Sequence, residues 1–480
     1  MAGWIATALW LLDLAIKIIV LGVVPKNRRP SSGMAWLLLI MLIPFLGFVF
    51  FLVLGRTRIG RKRDEKQAEV NAIVAERTAD VPTLEDDFPG PAYVKSVATL
   101  NRNLGAQPAM PGNRVDLFPG YVDSIEAMTA EVDRASKWVH VEFYITAWDE
   151  VTAPFYEALV RAVERGVTVR LLFDHIGSKS IPGYKEFIAR LDSNGIEWHP
   201  MLPIAPFKGE WRRPDLRNHR KILVVDGVVA FTGSQNLIER GYNKPANHKA
   251  GREYVELVAR VEGPVVSALN VLFATDWYSE TGFKLADEVG TPPPVAGEIE
   301  AQVIPSGPGF ATENNLRAFT TLIYSAQRRL SITSPYFVPD ESLLYAVTTA
   351  AQRGVQVELL VSEEGDQFMV SHAQRSYYEA LLRAGVRIYF YPAPWILHSK
   401  FFSVDDDVAV IGSSNMDMRS FGLNYEVSLM LLGPDVVADV RKVEDSYRAM
   451  SKELQLEDWL ARGTRAEYVD NVMRLTAALQ

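Results

Sequence analysis

Two apolar runs open the chain, from Trp4 to Val24 and from Met34 to Leu54, with the polar segment KNRRPSSG between them. The second run carries no charge over its whole length and is long enough, at about 1.5 Å per residue, to cross a bilayer core. Its Pro44 and Gly47 are tolerated in membrane helices. The first run carries Asp13 and Lys17, whose spacing puts them on one helical face where they can pair. No basic segment precedes the first run and a second follows at once, which argues against a cleaved signal peptide. The pattern predicts a two-helix transmembrane hairpin over residues 1–55. Basic residues beyond it (Arg56, Arg58, Arg61, Lys62, Arg63) outnumber those in its loop (Lys26, Arg28, Arg29), which predicts a multi-pass plasma-membrane protein with a cytoplasmic body.

Residues 56–116 mix charge, proline and glycine and read as a connector. From residue 117 the hydrophobic period alternates between helix and strand. FYEALVRAVERG is an amphipathic helix stopped by Gly166, VTVRLLFD is a buried strand, and YKEFIARLDSNG with IEWHPM repeats the step. This predicts an α/β unit over 117–285. A Pro-rich boundary at 286–300 follows, and the same order then recurs over 301–480. AVTTAAQRGVQVELLVS parallels ALVRAVERGVTVRLLFD, and YYEALLRAGVRIYFYP parallels YKEFIARLDSNGIEWHP. Two copies of one α/β unit imply a pseudo-twofold relation.

The repeat is sharpest in a polar skeleton. HRKILVVDGVVAFTGSQN, from His219 to Asn236, and HSKFFSVDDDVAVIGSSN, from His398 to Asn415, share His-x-Lys, a later Asp, and Gly-Ser-x-Asn at the same gaps. Each copy reads as a β-hairpin, the first turning at Asp226-Gly227. Strand parity puts His219 and Lys221 on one face, and Ser234 with Asn236 likewise. Counting back from the Gly-Pro pair after the next strand aligns Glu256 with Glu426.

Composition narrows the chemistry. The net charge of −8 gives no general attraction to nucleic acid, so an anionic substrate needs local cations. With no cysteine, thiol nucleophiles and thiolate metal sites are excluded. No G-x-S-x-G, HExxH or carboxylate cluster appears, so neither metal nor cofactor is expected. What remains, twice, is His with Lys and small polar groups. Attack on a phosphodiester needs a nucleophile, positive charge on the non-bridging oxygens and an acid for the leaving alkoxide. Imidazole can serve as nucleophile or acid. Lys221 and Lys400 supply charge, Asn236 and Asn415 hydrogen bonds, and Ser234 and Ser413 a pocket lining. Glu256 and Glu426 are the candidates for the carboxylate on each ring's far nitrogen. Asp226 and Asp405 complete the skeleton and suit the turns.

These residues resemble the HxKxxxxD signature of the phospholipase D superfamily, which both copies match without substitution. NLRNHRK, LLFDHIGS, ITSPYFVPDESLL, SEEGDQFMV and MDMRSFGLNYEV extend the likeness to bacterial cardiolipin synthases over nearly the whole chain. The resemblance implies two phospholipase D-like repeats sharing one active site, with His219, Lys221, Asp226, His398, Lys400 and Asp405 as its signature residues. It also implies phosphatidyl transfer between two phosphatidylglycerol molecules through a phosphohistidine, without a metal. By the same analogy His219 is the nucleophile and His398 the acid, although the two halves are near-equivalent in sequence. Phosphatidylglycerol, other anionic phospholipids and the membrane are the expected partners. A membrane-anchored phospholipase D using water as acceptor and a non-catalytic lipid binder are the rival readings, and nucleic acid is disfavoured by charge.

Other residues fit structural roles better. His140 and His199 read as core or surface groups. His175, His248 and His372, and the strand-end residues Asp174, Asp366 and Tyr336, fall near the expected mouth. PFKGEWRRPDLRNHR places Lys208, Arg212, Arg213 and Arg217 around Trp211, equally suited to a headgroup-facing segment or a solvated loop.

Overall fold

The computed structural model describes residues 2–26, 28, 30–55, 61–78, 84, 88–204, 213–289, 292–310 and 312–477. Two compact units result, residues 1–59 and 60–480.

In the first unit, helix α1 (Ala2–Val23) runs 22 residues, about 33 Å at the helical rise. Lys17 pairs with Asp13 at 2.8 Å, as their spacing predicts. The second apolar run departs from expectation. It breaks into α2 (Pro30–Leu42, 13 residues) and α3 (Pro44–Leu54, 11 residues). Pro44 has no N–H to continue the ladder and its ring displaces the preceding turn, leaving Ile43 at ψ 74°. The chain then folds back on itself, so that the rings of Trp36 and Phe51 meet edge to face at 5.6 Å. Gly47 is needed at the crossing, because a Cβ there would lie 2.8 Å from the Leu39 carbonyl oxygen.

Among the described residues one helix, α1, is therefore long and apolar enough to cross a membrane, where two spans were expected. Helices of about 17–20 Å fall short of a hydrocarbon core of about 30 Å. The count of basic residues on either side of two crossings loses its basis. Arg56 and Arg58 lie outside the described residues, and Arg63 is buried within the second unit, 4% exposed. The exterior of the first unit nevertheless stays apolar, with Trp4, Trp10, Leu38 and Leu42 all exposed.

The second unit is built on one continuous mixed sheet of 16 strands flanked by helices. The stretch expected as a connector supplies helix α4 (Arg61–Arg77), helix α5 (Ala92–Gly105) and most of strand β1 (Met110–Phe118). The first repeat adds β2 (Trp138–Phe143), β3 (Thr168–Asp174), β4 (Glu197–Met201), β5 (Arg217–Asn218), β6 (Lys221–Val225), β7 (Val229–Gly233), β8 (Tyr254–Val255) and β9 (Val258–Glu262). The second opens with β10 (Ile299–Ser306), β11 (Arg329–Thr333), β12 (Phe337–Val338), β13 (Gln356–Ser362), β14 (Arg387–Tyr391) and β15 (Ile396–Leu397). It closes with β16 (Phe401–Val404), β17 (Val408–Gly412), β18 (Met416–Asp417), β19 (Asn424–Leu432) and β20 (Lys452–Leu454).

Strand order is symmetric about the β10–β1 pair: β14-β13-β11-β16-β17-β19-β10 on one side, and β1-β9-β7-β6-β2-β3-β4 on the other. The pseudo-twofold expected from the repeat is thus a property of the sheet. Its central strands carry near-continuous apolar runs because helices cover both faces. The core at the junction draws on both repeats, with Ile222, Val224 and Leu257 packed with Ile411, Val427 and Leu429. Burying each such side chain contributes about 1.5–3 kcal/mol, which holds the repeats as one body.

Candidate active site

Each skeleton is an antiparallel hairpin, β6–β7 and β16–β17, as its alternation predicts. Asp226 and Gly227 take φ of 52° and 72°, the left-handed pair that a two-residue turn requires. The His-x-Lys segments lie at the opposite ends of these hairpins, next to the two-residue strands β5 and β15. Those strands pair across the repeats, β5 with β19 and β15 with β8, both parallel. The backbone N–H of His219 donates to the Tyr425 carbonyl at 2.8 Å, and that of His398 to the Val255 carbonyl at 2.8 Å.

This pairing crosses the carboxylates. His219 Nδ1 lies 3.0 Å from Glu426 Oε2, and His398 Nδ1 lies 2.6 Å from Glu256 Oε1. Each histidine is oriented by the other repeat, and each keeps Nε2 as the nitrogen facing away from its carboxylate. Lys221 and Lys400 fold back so that their ammonium groups donate to the carbonyls of His219 and His398. Ser234 and Ser413 accept the N–H groups of Leu257 and Val427 at 2.9 and 3.0 Å, and Ser413 also donates to Glu426. Asn236 accepts the Ile145 N–H at 3.1 Å and donates to the Tyr242 hydroxyl, which in turn donates to Glu256. Asn415 Oδ1 is buried with no hydrogen-bond partner among the described residues.

Burial and mutual repulsion set the charges. The His219 imidazole is pushed well below its ordinary range by burial, then by Lys221, Lys400 and His398. Burial also lowers His398, but Glu256 opposes the shift. Burial brings Lys221 down to about 7 and Lys400 to about 8. The two carboxyls diverge. Burial lifts Glu426 to about 7 against the pull of Lys221. Burial pushes Glu256 up too, yet His398 and Lys400 hold it below its ordinary value. Two sites near-equivalent in sequence are therefore electrically unequal: a neutral His219 beside a carboxyl that titrates near 7, and a His398 beside an ionised carboxylate.

Asp226 and Asp405 stand apart from this centre, at the turns that their place in the skeleton suits, where they clamp backbone. Asp226 accepts the N–H groups of Ser136, Lys137 and Trp138 at 2.8–2.9 Å. Asp405 does the same for Gln327, Arg328 and Arg329 at 2.7–2.9 Å. A five-residue strand, about 16 Å at the strand rise, separates Asp226 from His219-x-Lys221.

His140 is a fully buried core group stacked between Trp138 and Phe273, bonded to Asn270 and Glu288 at 2.8 and 2.7 Å. His199 packs its edge on Trp277. His175 Nδ1 accepts the Ile204 N–H, His248 pairs with Glu239, and His372 pairs with Asp470. Asp174 holds Arg217 in a buried pair at 3.1 Å, so this arginine is not a headgroup-facing cation, and Arg213 pairs with Asp215. Lys208, Trp211 and Arg212 lie outside the described residues.

The structure adds aromatic walls that the skeleton did not announce. Tyr144 lies edge-on to His219 at 5.0 Å, and Tyr254, Tyr242 and Tyr336 surround His398 at 5.3, 6.2 and 6.4 Å. Behind His219, a buried Arg220–Asp276 pair supports the strand, and Arg220 Nε donates to the Glu426 carbonyl at 3.2 Å. Tyr254 and Tyr425 were traceable in principle, since each lies within two positions of an aligned glutamate. Arg220 and Asp276 gave no signal, because nothing in their spacing connects them.

The family model described as "Cardiolipin synthase, PLD-like domain" matches residues 128–277 and 319–446, and the one described as "Phospholipase_D-nuclease N-terminal" matches residues 8–56. A "Cardiolipin synthase A" from Yersinia pseudotuberculosis serotype IB (strain PB1/+) is 36% identical over 467 residues, covering 94% of this chain and 93% of that protein. Another from Yersinia pestis bv. Antiqua (strain Angola) is 36% identical over 465 residues, with the same coverage. The crystal structure of the phosphatidylserine synthase of Haemophilus influenzae Rd KW20 shares the fold, with a TM-score of 0.60 at 16% identity over 80% of this chain and 97% of that one. The doubled skeleton, its union across one sheet and these likenesses together show that the chain belongs to the cardiolipin synthase family of phospholipase D-like enzymes.

Proposed function

We propose that this chain is a membrane-associated phosphatidyltransferase that moves a phosphatidyl group from one phosphatidylglycerol to the primary hydroxyl of another, giving cardiolipin and glycerol. His219 Nε2 attacks phosphorus, the bond to the donor's glycerol oxygen breaks, and His398 gives that oxygen its proton. The phosphatidyl group is then on His219. The acceptor hydroxyl loses its proton to His398, attacks phosphorus and releases His219, which restores both rings. Lys221 and Lys400 offset the charge that develops on the non-bridging oxygens.

The inequality of the two His–Glu pairs carries this division of roles. A nucleophile must be unprotonated at work, and His219 is held so by burial and three cationic neighbours. An acid must hold a proton in reach of the leaving oxygen, and the ionised Glu256 stabilises the protonated ring of His398. Both rings are less than a tenth exposed, which favours a lipid hydroxyl over bulk water as acceptor.

The test is product analysis with phosphatidylglycerol vesicles and the full chain. Cardiolipin and glycerol in equal amounts are expected, whereas phosphatidic acid in place of cardiolipin would mean hydrolysis. His219→Ala and His398→Ala each abolish turnover. An adduct trapped by detergent denaturation at alkaline pH, stable to base and labile to acid, should map to His219, and an adduct on His398 would reverse the roles.

A further inference from the structure

The surroundings of the two histidines differ as much as their carboxyls do. Near His219 the carboxylate beside the Tyr144 phenol, Asp174, is fully buried and paired with Arg217 at 3.1 Å. Near His398 the wall is uncharged phenol backed by one carboxylate. Tyr254 donates to Asp366 Oδ2 at 2.7 Å and Tyr336 donates to Asp366 Oδ1 at 2.8 Å. Gln367 Nε2 donates to the Tyr336 hydroxyl at 2.8 Å, which fixes that phenol's direction. Tyr254 and Tyr336 both stand edge-on to His398, and Asp366 is near enough to Lys400 to favour its charge.

Asp366 and Tyr336 are only partly buried, so a solute at His398 can reach them. A carboxylate offers about four acceptor sites, and the two phenols occupy one on each oxygen. The lone pairs that the phenols leave are set to receive a hydroxyl hydrogen. A carboxylate repels phosphate, so this wall suits the uncharged polyol part of a headgroup.

From this asymmetry we propose that Asp366, held by Tyr254 and Tyr336, forms a polyol subsite beside His398 that recognises the second hydroxyl of the acceptor's glycerol group, the one that does not attack. The subsite rests on the phosphatidyl-transfer reading. It makes acceptor choice a matter of hydroxyl count: one hydroxyl of the glycerol attacks while the other is held by Asp366. The leaving glycerol departs from the same place, since the acid that protonates it stands there. A simple alcohol lacks the second hydroxyl and gains nothing from the subsite.

The experiment is a competition. Full-length enzyme in mixed micelles of phosphatidylglycerol and detergent receives 1-propanol, and the ratio of cardiolipin to phosphatidylpropanol is measured. This ratio counts only turnovers that have formed the phosphatidyl intermediate, so unfolded protein drops out of it. Asp366→Asn should lower the ratio about tenfold, the loss of a hydrogen bond to a charged acceptor. Tyr336→Phe keeps the ring over His398, frees one side of the carboxylate and should lower the ratio by a smaller factor. An unchanged ratio in both variants overturns the subsite while leaving the transfer reading intact. Absence of any transferred product from the unaltered chain overturns that reading, and the subsite with it.

Discussion

His219 takes its orientation from Glu426, a residue 207 positions away in the other repeat, with Nδ1 and Oε2 3.0 Å apart. The matching contact from His398 to Glu256 spans 142 positions at 2.6 Å. Neither repeat supplies both members of either pair, so the site is assembled only where the two repeats join.

The two carboxyls should respond unequally to amidation. Glutamine resembles a protonated carboxyl, and Glu426 is already raised to about 7. Glu256→Gln should lower kcat by about 10² or more, because the charge that stabilises the His398 imidazolium is lost. Glu426→Gln should lower it less, and least at pH 6, where the native carboxyl is largely protonated. Steady-state kinetics of both variants between pH 6 and 8 checks this.

The pH profile of kcat/KM in the free enzyme should fall on the alkaline side. Lys221 and Lys400, brought to about 7 and 8 by burial, are cations below those values and neutral above them. Loss of charge as pH rises removes phosphate stabilisation. Lys221→Arg holds its charge throughout and should move the remaining alkaline limb upward, whatever it does to the maximum rate. On the acid side, activity should persist below 6.5, since His219 is held unprotonated well below its ordinary value.

Asp226→Ala and Asp405→Ala should weaken the fold and leave the chemistry. Each removes an acceptor from three backbone N–H groups at the far end of a hairpin. The expected loss is about 1–3 kcal/mol of stability, read as a lower Tm, with kcat per folded molecule within about threefold of the native value. A large kcat loss at unchanged Tm would place these residues in the reaction.

Arg63 ties helix α4 to the back of the site. It pairs with Glu280, and its guanidinium and that of Arg220 lie 5.3 and 5.1 Å from the centre of the Tyr425 ring, whose carbonyl holds His219. Arg63→Met leaves Glu280, partly buried and still accepting the Leu202 N–H at 2.9 Å, without its cation and should cost about 1–3 kcal/mol. Adding Glu280→Gln should restore part of that stability, a non-additivity that thermal unfolding of the single and double variants reads directly.

The repeat, the hairpins and the groups we propose as reacting were all legible in the sequence. Period-two alternation with Asp226-Gly227 between strands makes β6 and β7, and the duplicated His-x-Lys names the chemistry, because both depend on local spacing. It also reached Glu256 and Glu426, through their matched places after each skeleton. Tertiary structure alone decided the crossing of the carboxylates, because parallel pairing of β5 with β19 and β15 with β8 is a contact between repeats that no spacing records. The unequal charges followed from that, since burial and neighbours differ where residues agree. It also turned the second apolar run into the hairpin of α2 and α3. Composition permits a straight span there, but Pro44 interrupts the ladder and Gly47 lets the two helices touch.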